Sequence, residues 1–150
     1  MIQIVRATIK ELNGLTELFE GYRRFYNKAA DFDSAINFLK SRIENEESVI
    51  FLAIGENGEC CGFTQLYPLF SRTRMKRLWL LNDLFVAEAF RGRGISRKLI
   101  DAAKKHCIET NACSLTLETA KSNEAGNKLY PGEGFVLDEE HNFYSWDNPE

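Results

Sequence analysis

Leu12, Leu15, Phe19, Tyr22 and Tyr26 recur at steps of three and four, which predicts a helix with one apolar stripe after a short strand over Ile2 to Arg6. Asp33 stands where an N-cap belongs, ahead of a second helix that would bury Ile36, Leu39 and Ile43, and an acidic bend with Asp31 and Asp33 separates the two. From Val49 the period changes. VIFLAI, GENGE and CCGFTQLY read as a β-hairpin whose turn is marked by Asn57 and Gly58. A polar, basic loop from Ser71 to Lys76 leads into a long strand over Leu78 to Val86. A glycine-rich turn and a helix of about 14 residues come next, with Ile95, Leu99, Ala102 and His106 on one side. SLTLETA predicts a strand beside the previous one, as a crossover connection expects. A short helix follows over Glu124 to Leu129, ending near Tyr130 because Pro131 disfavours the α region for the residue before it. GFVLDEEHNFYSW closes the chain as two strands joined by the polar turn Asp138 to Asn142.

Antiparallel strands first and a parallel pair in the middle indicate a mixed α/β (α+β) fold. The 150 residues show no repeat, linker or shift in composition, so a single domain over residues 1–150 is expected. The formal net charge of -3 argues against general nucleic-acid binding and suits cationic substrates better than polyanions. No apolar run approaches the roughly 18 residues that span a bilayer, and the N-terminus lacks a signal-peptide core, so no membrane partner and a cytoplasmic location are expected. Adjacent Cys60 and Cys61 fall in a strand and point to opposite faces, and with Cys107 and Cys113 they read as reduced, mostly buried thiols. His106 and His141 have no partner at metal-ligand spacing, and no metal site is expected.

The candidate chemistry centres on LNDLFVAEAFRGRGIS, Leu81 to Ser96, where an apolar strand runs into a glycine turn that opens a helix. Helix starts leave their first N–H groups unpaired and carry about half a positive charge, so Arg91, Gly92, Arg93, Gly94, Ile95 and Ser96, with Arg97 following, form a place for a pyrophosphate. Gly92 and Gly94 let the main chain approach such a ligand. Downstream, NEAGNKLY is followed by GEGF, which places Asn123, Gly126, Leu129, Tyr130, Gly134 and Phe135 in a fixed order.

With those two motifs separated by one helix and one strand, nearly the whole chain resembles the Gcn5-related N-acetyltransferases. Arg91, Gly94 and Ser96 occupy the positions of that family's phosphate turn. Ser96 departs from its usual Gly or Ala, adding bulk beside the pyrophosphate or capping the helix instead. The resemblance implies the family's acyl-CoA N-acyltransferase fold, a mixed sheet splayed between its fourth and fifth strands and flanked by about four helices. It further implies acetyl-CoA in the gap of that splay. There a bulge would leave main-chain groups around Leu84, Phe85 and Val86 for the pantetheine arm and for the charge that develops on the thioester oxygen. Arg91 to Arg97 and Asn123 would serve the cofactor, with capping of the short helix as the other reading for Asn123.

Tyr130 is the resemblance's candidate acid for the departing thiolate, and a phenol satisfied by backbone at the helix end is its alternative. Small polyamine acetyltransferases resemble this chain around the same strand, commonly with Glu-Asp where Asn82-Asp83 stands here. Asn82 cannot take a proton as a carboxylate does; it would position a water or the substrate. Asp83 is either the base or cation-attracting group, if a bulge turns it inward, or a satisfied structural carboxylate. Tyr22, Tyr26, Asp31 and Asp33 belong to the region that covers the acceptor side in the family, and Glu118 faces it from the neighbouring strand; the tyrosines equally fit a core stripe. Arg72, Arg74, Lys76 and Arg77 read as a solvated loop rather than a nucleic-acid patch, with cofactor phosphates in a partner subunit as a further possibility.

The implied activity is direct acetyl transfer to a primary amine, first a small cationic amine or polyamine, with a protein lysine or N-terminus second. A non-catalytic acyl-CoA sensor is the rival, which Asn82, Ser96 and Pro131 allow. A homodimer is expected from the family, with Phe143, Tyr144 and Trp146 partly exposed.

Overall fold

The computed structural model describes residues 1–71 and 73–149; Arg72, in the expected basic loop, lies outside them. The chain divides into two compact units, Met1–Glu118 and Thr119–Glu150.

The first unit is built on a sheet of order β1-β2-β3-β4-β5, comprising β1 (Gln3–Arg6), β2 (Val49–Ile54), β3 (Cys60–Ser71), β4 (Lys76–Val86) and β5 (Leu115–Thr116). All neighbours are antiparallel except β4 and β5, which the crossover helix α3 (Ile95–Glu109) makes parallel. Helices α1 (Leu12–Phe25) and α2 (Phe32–Glu44) cover one face of the sheet, where Leu12, Leu15, Leu18, Leu39, Ile50, Leu52 and Phe63 form one core. On the other face Ala53, Cys61 and Val86 pack with Ile95 and Leu99 of α3. Cys60 borders the first core and Cys61 lies in the second, as strand alternation requires, and all four cysteines are free thiols.

Local chemistry sets the helix starts. Thr8 and Glu11 form a capping box over a 3₁₀ turn, Ile9–Glu11, that feeds α1. Asp31, not Asp33, caps α2: its side chain accepts from the Ser34 N–H at 3.2 Å. The buried Glu20 accepts the Asp31 N–H at 3.2 Å, which fixes the bend and starts the helix two residues ahead of the position that helical periodicity favours. The β2–β3 turn falls at the expected place, with Gly58 at φ 80°.

β5 is far shorter than SLTLETA predicts: only Leu115 and Thr116 pair, with Trp79 and Leu80. In the second unit α4 (Glu124–Gly132) runs through Pro131 instead of stopping before it. Proline's effect on its predecessor is a bias, and here the turn beyond it is closed by main-chain bonds from Gly134 N–H to Pro131 O at 3.1 Å and from Phe135 N–H to Tyr130 O at 3.0 Å. The two expected C-terminal strands do not form. Residues 136–149 are exposed and irregular, and the Asp138 carboxylate gathers the Glu140 and His141 N–H groups in a local turn.

Candidate active site

β4 organises the site through one irregularity. Its register with β3 passes from Leu66↔Leu81 directly to Gln65↔Asp83, so Asn82 is an extra residue, a bulge. Beyond it Leu84 and Val86 pack towards α3 while Phe85 packs on the α1 side. Simple alternation would put Asn82 with Leu84; the bulge leaves Asn82 exposed and turns Asp83, 4% exposed, inward beside Tyr22 of α1.

The Asp83 carboxylate is held by neutral donors. Gln65 Nε2 donates to Oδ2 at 2.7 Å and Asn82 Nδ2 donates to Oδ1 at 3.2 Å, and the carboxylate acts on the neighbouring Tyr22 hydroxyl. Thr64 Oγ1 donates to the Asp83 main-chain carbonyl at 2.8 Å and so secures the bulge. Behind Gln65, Ser48 Oγ donates to Oε1 at 2.9 Å, which fixes the amide with its NH₂ towards Asp83. Among the described residues Asp83 takes part in no ion pair. Asp83 is thus a buried acceptor held by neutral side-chain donors.

The wall around this carboxylate is aromatic. Tyr22 meets Tyr26, Phe63 and Phe85 edge-on at 5.0, 6.0 and 6.1 Å. Burial and then the Asp83 charge push the Tyr22 hydroxyl well above the usual phenol range, so it remains a donor. The same two causes push Tyr67 up to about 12. Of the predicted acceptor-side residues, Tyr22 and Tyr26 come to this wall. Asp31 is spent as the α2 cap, Asp33 lies exposed in the first turn of that helix, and Glu118 is exposed beyond the end of β5 rather than on a facing strand. Gln65, Ser48 and Thr64 escaped the sequence reading. Their one signal was a polar Gln65 alternating with Phe63 and Tyr67 in an apolar strand.

Because pairing with β5 stops at Leu80, no strand runs along that edge of β4 from Leu81 to Val86 among the described residues. The Ala87 N–H is used by the Cys61 carbonyl at 2.8 Å, so alternation aims the main-chain groups of Leu84 and Val86 at the open edge. The Val86 carbonyl accepts there from Arg91 Nε at 2.9 Å, which ties the turn to the strand, and the Arg91 guanidinium lies over the Phe85 ring. Gly92 and Gly94 have φ of 78° and 75°, and a Cβ on either would meet nothing within 4 Å. The glycines are therefore demanded by backbone angle and not by crowding. Gly94 is the N-cap of α3, which makes Ser96 the second residue of the helix and not its cap. The turn is exposed, the first helical amides of Ile95 and Ser96 have no acceptor within the helix, and Arg91, Arg93 and Arg97 flank them in the sequence. That donor set fits a pyrophosphate.

In the second unit the downstream motif has a packing logic of its own. Asn123 Oδ1 accepts from the Gly126 N–H at 3.0 Å and Nδ2 donates to Thr119 Oγ1 at 2.9 Å, so Asn123 is the α4 cap. A Cβ on Gly126 would stand 2.5 Å from Asn123 Nδ2, which explains the small residue three positions on.

A strand opened at one edge and continued by a glycine turn into a helix is the arrangement that an acetyltransferase requires for its acyl donor. The chain belongs to the acetyltransferase (GNAT) family, whose model matches residues 13–135, and it is an N-acetyltransferase of the acyltransferase class. It is 44% identical over 137 residues to YhfO, an uncharacterized N-acetyltransferase of Bacillus subtilis (strain 168), with 91% of each chain covered. The crystal structure of a probable acetyltransferase matches it with a TM-score of 0.94 and 38% identity over 99% of both chains. The aminoglycoside N-acetyltransferase AAC(6')-Iy, solved in complex with CoA, shares the fold at 18% identity, with a TM-score of 0.82 over 97% of this chain and 95% of that one. Acetyl-CoA is the acyl donor of this family. No helix among the described residues is long and apolar enough to cross a membrane, and no group of side chains among them could hold a metal ion.

Proposed function

We propose that this protein transfers the acetyl group of acetyl-CoA directly to a primary amine, and that the amine is a small cation such as a polyamine. One observation carries the reading: β4 presents a buried carboxylate at Asp83 with no ion pair among the described residues and, directly after it, a main-chain edge that no described strand covers and that runs into the phosphate-type turn. Bound acetyl-CoA supplies an activated thioester carbonyl. The main-chain groups of Leu84 and Val86 at the open edge hold its pantetheine arm, while the Phe85 main chain faces β3, contrary to the sequence expectation, and the main chain of Arg91 to Arg97 holds its pyrophosphate. Asp83 attracts the acceptor, Asn82 at the exposed bulge gives its proton a route to water, and Tyr130 donates a proton to the departing thiolate. Asn123 adds a contact to the cofactor besides its capping bond.

A covalent acyl-enzyme is not part of this scheme. Burial pushes the thiols of Cys60, Cys61 and Cys107 up, the wrong direction for a nucleophile. The free thiols suit a reducing cytoplasm, and the exposed Phe143, Tyr144 and Trp146 suit burial in a homodimer. Calorimetric titration with acetyl-CoA, followed by thiol release over a panel of amines, tests the reading. Saturable binding with amine-dependent release supports it, binding with no release across the panel makes the protein a sensor, and no binding removes the cofactor assignment.

A further inference from the structure

We infer that Ser48 and Gln65 are positioning residues that hold Asp83 as the receptor for a second ammonium of the acceptor, one that does not react. The inference rests on the N-acetyltransferase reading and narrows its substrate to a diamine or polyamine.

The argument begins with the direction of each hydrogen bond. A carboxylate is acceptor-only, and here it receives Gln65 and Asn82, with the Tyr22 hydroxyl beside it. Gln65 could present either its oxygen or its NH₂ to Asp83. The Ser48 hydroxyl, seated on Oε1, forces the NH₂. Ser48 and Gln65 are both buried, at 8% and 0% exposure, and an inward amide and hydroxyl in an otherwise apolar strand layer cost stability unless something is gained from them. What they secure is a fixed anion. Among the described residues the Arg91 guanidinium lies over the Phe85 ring and donates to the Val86 carbonyl, and Arg42 acts on Tyr67 and is paired with Glu47 at 3.1 Å; neither forms an ion pair with Asp83. With no ion pair to Asp83 among the described residues, an ammonium from outside can serve as its counter-charge.

The second step concerns which nitrogen it binds. A carboxylate stabilises an ammonium in its charged form, and a charged nitrogen has no lone pair to attack a thioester. An acceptor whose reacting nitrogen sat on Asp83 would be held inert. The geometry separates the tasks: the Asp83 side chain projects from the α1 face of the sheet, whereas the main-chain groups of Leu84 and Val86 point along the sheet to its open edge. A short diamine serves both, one ammonium on Asp83 and the other nitrogen, uncharged, at the edge. The aromatic wall of Tyr22, Tyr26 and Phe85 then covers the methylenes and faces the cation.

The reaction balances on these terms. The attacking nitrogen forms the new C–N bond as the thioester C–S bond breaks; the thiolate takes one proton, the nitrogen loses one to water, and the ammonium on Asp83 is unchanged.

The test uses the whole protein with 1,4-diaminobutane, and butylamine as the one-cation comparator. Binding is read by calorimetry in the presence of CoA, and turnover by thiol release. The diamine should bind at least tenfold more tightly than butylamine. Asp83→Asn should abolish that preference, Gln65→Met and Ser48→Ala should weaken diamine binding about five- to twentyfold, and Ser48→Thr, which keeps the hydroxyl, should restore it. In turnover the loss should fall on the diamine KM, with the acetyl-CoA KM and CoA binding unchanged. Equal binding of the two amines by the wild type, no diamine binding at all, or a Gln65→Met protein that folds and prefers the diamine as before would each overturn the inference. If the wild type acetylates both amines equally, the N-acetyltransferase reading stands while this inference falls. If neither is acetylated but the diamine binds through Asp83, the inference stands and the transfer reading falls.

Discussion

Phe135 donates its main-chain N–H to the Tyr130 carbonyl at 3.0 Å and sets its ring edge-on to the Tyr130 ring at 5.7 Å. Together with Gly134 at φ 91° and its N–H on Pro131 O, this is a Schellman closure: the left-handed residue ends the helix, and the next side chain packs back on the last turn. The Leu-Tyr and Gly-Phe halves of the motif are thus one device for fixing Tyr130. Gly134→Ala, forced into the left-handed region, should cost about 1–2 kcal/mol of stability, and Phe135→Ala should loosen the ring pair by about 0.5–1.5 kcal/mol. Both should lower kcat more than they raise the acetyl-CoA KM. Thermal melts and steady-state kinetics check this, and unchanged kcat in a destabilised Gly134→Ala protein would show that the closure serves the fold alone.

Tyr130→Phe removes only the hydroxyl and leaves that closure intact. If the hydroxyl is the proposed donor to the leaving thiolate, its loss should lower kcat about a hundredfold. The substrate KM values should stay within a factor of about two, since the group acts in the transition state and not in binding. Kinetics between pH 7 and 9 decide it; wild-type turnover across that range would remove Tyr130 from the chemistry.

At the phosphate-type turn the two glycines make a sharper test than the arginines. Since a Cβ at Gly92 or Gly94 meets nothing, Gly92→Ala and Gly94→Ala add only backbone strain. The strain should be about 1–2 kcal/mol, and the turn relaxes by turning its amides away, so acetyl-CoA affinity should fall about tenfold in calorimetry. A melt that drops with affinity unchanged would mean the main chain does not hold the cofactor.

These contrasts show what the sequence could reveal. Gly92, Gly94 and the helix after them were legible because a glycine turn opening a helix is a local signal. The stripe from Leu12 to Tyr22, the Asn57-Gly58 turn and the Asn123 cap were readable for the same reason. The Asn82 bulge was not, since it depends on which β3 residues lie opposite, and only that register sets Gln65 across from Asp83. Ser48 is further still, 17 residues from the amide it orients. The C-terminal strands failed for a related reason: alternation marks a segment able to pair, and pairing needs an edge that the segment does not carry.

His106 gives a prediction for pH. It packs between Trp79 and Phe51, with ring centroids at 4.7 and 5.8 Å, and its buried Nε2 has no hydrogen-bond partner. Burial, aided by Arg6 and Arg77 and opposed by Glu109, lowers its pKa below the ordinary histidine value. The unfolded chain therefore binds a proton at a pH where the folded chain does not. Stability is present in full above the unfolded value of about 6.5 and is lost as pH falls from there through the lower folded value. The melting temperature of the wild type should fall between pH 7.5 and 5.5. His106→Phe, which keeps the aromatic contacts and removes the titration, should flatten that slope. Equal slopes in the two proteins would mean that carboxylates or His141, and not the neutral imidazole behind β4, set the acid limit of the fold.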